Sequence, residues 1–389
     1  MKTAISAFVC SENRGSEHEL GWKGLKECAA RSVEVHLFTS AAINPNIEAQ
    51  VRKYCLDNVV VHLVDFSKGV DSFLKSIPGV GYQLVAYVWE FRLFFHMLRR
   101  FRRDQFDLAI KSTYGSYKWP SFLWCFSKEL HVDPLSGGGR CPIRFQRFFS
   151  PKARRQELFR VFMLRACFFD PFVLLTLFKA KKLYAGNVAT QSILPRFARK
   201  KCVVKPNFLS VEAADFKIEE ARAAVSVDPE MLKLFYTGKL LEWKGVMLVL
   251  EALSLLPDYV KYSFTIMGDG PGKQRYEDYI NEENLNVIFI NPRQVPRSDL
   301  SFYFFSHDLF AFPTLHGEAG YAPVEAKLHG MKLLTLDSSG LENHLTEGDL
   351  CIQTESKSAD CVVQEMADAI EGLYQQLKCP SIEDAQGVS

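Results

Sequence analysis

Short apolar runs alternate with loops and amphipathic stretches along this 389-residue chain. In the first half MKTAISAFVC, VEVHLFTS, VVVHLVDF, FDLAIKS, KKLYAGN and KCVVKPNFLS read as strands, being apolar, rich in β-branched residues and bounded by turn formers. HELGWKGLKECAARS and the stretch from Val80 to Arg103 carry helical patterns between them. In the second half LFYTG, SFTIMG and DLFAFPT are brief apolar runs, stopped by Gly238, Gly268 and Pro313. A helix after the first of these places Val246, Leu248, Val249, Ala252, Leu253 and Leu256 on one side, and Asp360 to Lys378 reads as a last helix. Strand, loop and helix in repetition predict parallel sheets with helices on both faces.

Ligands of such sheets sit beyond the carboxyl ends of the strands. Between Leu234 and Leu345 those ends offer Lys239 and Lys244, the tight turn Gly268-Asp269-Gly270-Pro271, and the loop His316-Gly317-Glu318-Ala319-Gly320-Tyr321 leading into a helix with Glu325. Bare N–H groups and the dipole at a helix start suit a phosphate. A carboxylate accepts hydroxyl donors from a ribose or sugar. Cations, an anion-binding loop and carboxylates together point to a nucleotide-diphosphate sugar.

The order of Gly238-Lys239-Leu240, Lys244-Gly245, Gly268-Asp269-Gly270-Pro271 and Glu325-Ala326 over about 110 residues resembles the donor half of glycosyltransferase family 4, the retaining enzymes of the GT-B fold. The family usually has arginine at Lys239, where lysine keeps the charge but loses the bidentate fork. Its first acidic residue falls eight positions before Glu325, at Gly317, whereas here Glu318 stands one place later. The resemblance implies two Rossmann-like doubly wound domains facing a central cleft. It implies a UDP or GDP sugar as donor, bound by Gly238, Lys239, Lys244, Gly268, Gly270, Glu318, Ala319, Gly320, Tyr321 and Glu325. Lys244 and Glu318 are the catalytic candidates. With no Asp-x-Asp in the chain, the lysines are expected to neutralise the diphosphate without a metal, and no cofactor is expected.

The net charge of +2 conceals a division. Up to Lys205 there are 33 Lys and Arg against 16 Asp and Glu, a net of +17; the remainder has 14 against 29, a net of −15. Such a split predicts different partners for the two halves. Ten scattered cysteines without C-x-x-C read as reduced thiols of a cytoplasmic protein. The N-terminus lacks the long apolar region of a signal peptide, and no uninterrupted apolar run reaches the ~18 residues of a membrane helix. No G-x-G-x-x-G follows a strand with an acid about 20 residues on, which argues against a dinucleotide dehydrogenase.

After the first strand, Gly15 and Ser16 suit an anion through backbone and hydroxyl; Ser16 with Glu19 also reads as a capping box. Gly137, Gly138 and Gly139 leave room for an anion nest or a plain loop. Sequences similar to these two places occur in a bacterial surface-polysaccharide subgroup of the family, with Asp133 and Arg140 departing from its pattern. From Arg140 to Lys182 eleven basic residues face only Glu157 and Asp170, with phenylalanines interleaved. This reads either as helices with a solvated basic face or as a surface for anionic lipid; nucleic acid is not expected.

The expected domains are 1–205 for the acceptor, here a glycan or lipid-linked glycan held by Gly15, Ser16 and Gly137 to Gly139, and 206–359 for the donor. A helix over 360–379 is expected to cross back to the first, followed by a loose tail over 380–389. The expected activity is retaining sugar transfer in lipopolysaccharide O-antigen or capsule synthesis, in the cytoplasm or at the inner membrane face. A nucleotide-sugar epimerase, or a non-catalytic nucleotide- or membrane-binding protein of this fold, is the alternative.

Overall fold

The structure, a computed structural model, describes residues 1–12, 16–66, 81–205, 218, 220, 221, 230–317, 320–341 and 344–378. The chain divides into two units, Met1–Gly138 with Arg160–Leu209 and Gly139–Phe159 with Ser210–Ser389.

The first unit holds β1 (Lys2–Ser6), β2 (Glu34–Thr39), β3 (Val59–Leu63), β4 (Phe106–Lys111), β5 (Ser127–Leu135), β6 (Lys182–Ala185) and β7 (Cys202–Val204). They form one parallel sheet in the order β3-β2-β1-β4-β5-β6-β7. Side chains alternate between its faces as strand geometry requires. Ala4 and Phe38 enter one apolar cluster with Trp89 and Phe106, whereas their neighbours Ile5 and Leu37 enter another with Trp22 and Leu25. Both faces are therefore covered, the normal state of a parallel sheet. β1 lies between β2 and β4, so the chain winds outward in both directions from it and leaves a switch point at their carboxyl ends.

The second unit holds β8 (Leu232–Thr237), β9 (Tyr262–Met267), β10 (Val287–Ile290), β11 (Leu309–Ala311), β12 (Lys332–Leu336) and β13 (Leu350–Ile352). Its parallel order is β10-β9-β8-β11-β12-β13, with β8 and β11 at the switch. The helix Val246–Ser254, expected to bury one side, buries Val246 to Leu250 without a break. The last helix, Ala359–Lys378, packs against it and against β8 and β13, burying Val362, Met366 and Ile370. A helix enclosed from both sides has no polar face. These contacts set the last helix in the second unit, where the expectation had it returning to the first half.

Residues 139–159, expected with the first half, are part of the second unit. Charge explains the placement. Arg147 reaches Glu251 at 2.9 Å and Asp360 at 2.8 Å, and the Ser150 hydroxyl donates to Glu242 at 2.7 Å. A basic segment thus joins the acidic half of the chain. Residue 206, where the second domain is expected to begin, lies outside the described residues, as does the tail over 380–389. The nine described cysteines are free.

Candidate functional site

The loops after β8 and β9 are knitted together through main chain. Gly238 N–H donates to the Met267 carbonyl at 3.1 Å, Leu240 N–H to that of Asp269 at 3.0 Å, and Gly272 N–H to that of Leu240 at 2.9 Å. A Cβ on Gly268 would lie 2.4 Å from the Gly238 carbonyl oxygen, and one on Gly270 2.7 Å from that of Leu240. The glycines of G-D-G-P therefore let two backbone turns touch. Lys239 projects from this joint into solvent, while its carbonyl accepts the Tyr236 hydroxyl at 3.0 Å.

Lys244 is placed by aromatic rings. Its ammonium lies 4.3 Å from the Trp243 ring centre and 4.8 Å from that of Phe312, within cation–π range. Gly245 follows at φ +79°, and a Cβ there would lie 2.0 Å from the Pro313 carbonyl oxygen. Only glycine meets both demands. Leu315 N–H donates to the Trp243 carbonyl at 2.8 Å, so the loops after β8 and β11 are also fastened together. Beneath them Trp243 stacks on His316, centres 4.5 Å apart and planes 13° apart. Buried His316 faces buried Glu157 at 3.1 Å, and Glu157 also accepts the Cys141 N–H at 3.2 Å.

Glu325 sits in the helix Tyr321–Leu328, buried to 3% exposure. Arg297, half-exposed in the turn Arg297–Asp299 that follows β10, reaches its carboxylate at 2.5 Å. Below it the Glu325 carbonyl meets His329 Nδ1 at 2.7 Å, and His329 Nε2 meets the Ser301 hydroxyl at 2.8 Å. Gly320 stands extended before the first turn, and a Cβ there would lie 3.7 Å from the Phe312 ring. Phe312 therefore touches both the Lys244 side and the helix start.

Gly238, Lys239, Lys244, Gly268, Gly270, Gly320, Tyr321 and Glu325 thus all belong to segments leaving β8, β9 and β11 at their carboxyl ends. Glu318, Ala319 and Gly15 lie outside the described residues, as does the side chain of Ser16, whose backbone starts the helix Ser16–Arg31. Gly138, in the first unit, donates its N–H to the Thr190 hydroxyl at 3.1 Å and has Thr190 where a Cβ would stand. Gly139, in the second, packs on the His316 carbonyl in the same way. Close packing therefore accounts for two glycines of the expected nest, while a Cβ on Gly137, at φ +92°, would meet only the Ser116 hydroxyl at 3.4 Å, and the Gly137 carbonyl accepts from Arg160 at 3.3 Å.

Arg297, Trp243 and the Glu157–His316 pair escaped the sequence reading. Trp243 had a signal, an aromatic residue directly before the lysine. Arg297 is 28 residues from its partner and Glu157 is 159 from its own, and neither falls in a motif.

Residues 217–378 match the family model described as glycosyl transferases group 1. A 2-deoxystreptamine N-acetyl-D-glucosaminyltransferase of Niallia circulans is 23% identical over 133 residues, 34% of this chain and 34% of that protein. The chain spans between a third and two fifths of the length of the curated relatives it matches. Among solved structures WaaG, a glycosyltransferase involved in lipopolysaccharide biosynthesis, is similar at a TM-score of 0.57 and 15% identity, covering 99% of this chain and 96% of WaaG. HepE of Anabaena, solved with UDP and glucose, is similar at 0.52 and 15%, covering 97% and 95%. The fold is therefore that of the GT-B glycosyltransferases, two parallel-sheet α/β domains. Within it, the segment matching the group 1 model is the one that carries the lysines and Glu325.

Proposed function

We propose that this protein is a metal-independent, retaining glycosyltransferase that moves a hexose from a UDP or GDP sugar to a hydroxyl of a glycan or lipid-linked acceptor. The observation that carries the reading is the gathering of Lys244, Lys239 and the buried Glu325 on loops that leave one sheet at its carboxyl ends. Match of this segment to the group 1 model supports it, as does HepE, solved in complex with UDP-glucose. In this reading Lys239 and Lys244 face the diphosphate and stabilise the charge that grows as the bond from the anomeric carbon to the phosphate oxygen breaks. The N–H groups of Gly320 and Tyr321 hold a phosphate at the helix start. Glu325 accepts the ribose hydroxyls, with Arg297 orienting its carboxylate. Glu318 contacts the sugar. The acceptor oxygen joins the anomeric carbon on the face the phosphate leaves, and the departing phosphate oxygen takes the acceptor proton. Gly15, Ser16 and the region of Gly137 to Gly139 are proposed for the acceptor.

The likeness to WaaG, involved in lipopolysaccharide biosynthesis, and to WaaB, a lipopolysaccharide outer core galactosyltransferase, supports a bacterial surface polysaccharide as the product and the inner membrane face as the workplace. The test is incubation with UDP and GDP sugars, with and without a lipid-linked glycan. Product is expected only with acceptor present, in the donor's anomeric configuration by NMR, and turnover is expected to fall about 10²–10³-fold in Lys244→Ala. Conversion of donor alone would identify an epimerase instead. No turnover of any donor, with the chain folded, would favour a binding protein.

A further inference from the structure

The helix Pro171–Lys179, PFVLLTLFK, carries no charge until its last residue. Val173, Thr176 and Leu177 face the core of the first unit. The opposite side is equally apolar yet open, with Leu174 and Leu175 only half-buried and Phe178 65% exposed. Phe169, just before the helix, is 89% exposed. The apolar surface continues on both sides. Phe178 meets half-exposed Phe197 with ring centres 6.2 Å apart, and Phe172 meets Phe91 at 5.1 Å, one turn from exposed Phe95. Aromatic side chains of this size leave on the order of 500 Å² in water, in the upper part of the range for the largest patch on a monomer, which is often functional.

The charge around the patch is mostly basic, with Glu129 set 3.7 Å from Lys181 beyond the helix end. Residues 160–205 contain ten Lys and Arg and a single acid, Asp170. That acid is already engaged, accepting the Phe172 and Val173 N–H groups and the Tyr87 hydroxyl at 2.6 Å. Lys201 lies 6.0 Å from the Phe178 ring and Lys179 5.3 Å from that of Trp124, and exposed Arg99 and Arg102 follow Phe95. Aromatic rings rimmed by lysine and arginine match the acyl boundary and headgroups of an anionic bilayer, whereas protein interfaces are depleted in lysine. Among the described residues no single helix is long and apolar enough to cross a membrane.

We propose that this face of the first unit, centred on the helix Pro171–Lys179, docks flat on an anionic lipid surface. The proposal deepens the reading of a membrane-side workplace given above and rests on it only for the choice of membrane. The test is flotation of the full chain with vesicles of phosphatidylethanolamine and phosphatidylglycerol or of phosphatidylcholine alone, with no donor or acceptor, so docking and transfer succeed or fail separately. Binding is expected to the anionic vesicles and to fall as salt rises. Phe169→Ser with Phe178→Ser, both at exposed positions, is expected to reduce it at least tenfold with melting temperature unchanged. Lys179→Glu with Lys181→Glu is expected to reduce it by more than the fivefold or so that one basic residue contributes. Equal binding to both vesicle types, no binding to either, or wild-type binding by the serine variant would overturn the proposal. So would a wild-type dimer in sedimentation that the serine variant converts to monomer, since a second copy would then cover the face.

Discussion

At the scale of single residues the site is a set of charges held by neighbours. Glu325 is buried and faces Arg297, so removing the guanidinium leaves a carboxylate without its cation in a poorly solvated place. Losing one partner of a fully buried pair costs about 3–5 kcal/mol, and the 37% exposure of the Arg297 side chain lowers the expectation toward 1–3 kcal/mol. Arg297→Ala should lower the urea midpoint accordingly and raise the KM for donor. An unchanged KM would remove Arg297 from the donor site. Lys244 and Glu325 could be read from the sequence because each stands beside a glycine or alanine at motif spacing. Arg297 and Glu157 could not, because ion-pair geometry depends on which loops the fold brings together.

Histidines illustrate the same point in the first unit. His36 and His62 stack with ring centres 5.0 Å apart and share a 2.8 Å hydrogen bond, which gives His36 a place in the packing at the outer strands. Burial first, then the charges of His36, His96 and Arg100, bring His62 from 6.5 down to about 4. The unfolded chain protonates this ring below about 6.5 while the folded chain keeps it neutral. Stability is thus fully present above that pH and is lost as pH falls from there toward 4. His62→Gln should flatten the decline in melting temperature between pH 7 and pH 5; an identical decline would show that other groups carry it.

Elements were legible where apolar and β-branched residues ran together between turn formers. β1, β2, β3, β4, β6, β7, β8, β9 and β11 overlap such runs. β5 was missed because Lys128, Glu129, His131, Asp133 and Pro134 break up its apolar residues, although it lies inside the sheet between β4 and β6. Its charges have specific partners, Lys128 with Asp107 at 2.7 Å and Asp133 with Lys205 at 2.8 Å. β10, β12 and β13 were missed as three- to five-residue runs within polar sequence. The turn Lys244-Gly245 joins element to function. Gly245→Ala meets both a left-handed backbone and the Pro313 carbonyl, so the loops after β8 and β11 must part. A loss of about 2–4 kcal/mol in denaturant, with donor turnover falling further than stability alone explains, is expected. A variant with normal turnover would mean that this turn does not set the position of Lys244.

On the scale of the whole molecule, the fold class followed from strand, loop and helix repeating in two halves, and the charge split set a basic half before an acidic one. Neither showed that residues 139–159 join the second unit, because that depends on Arg147 and Ser150 finding Glu251, Asp360 and Glu242. Position along the chain is a poor guide to membership when a basic segment can pair with a distant acidic surface. The excess of basic over acidic residues around the helix Pro171–Lys179 is what the lipid-docking proposal uses.

The central claim is that Lys239 and Lys244 hold a pyrophosphate. Isothermal titration of UDP, GDP and the matching monophosphates into the wild-type chain, Lys239→Ala and Lys244→Met tests it most directly. One diphosphate should bind the wild type well above its monophosphate and weaken at least tenfold, about 1.4 kcal/mol, in each variant, with unliganded melting temperatures unchanged. Diphosphate affinity that is the same in all three chains, or no preference for diphosphate over monophosphate, would contradict it.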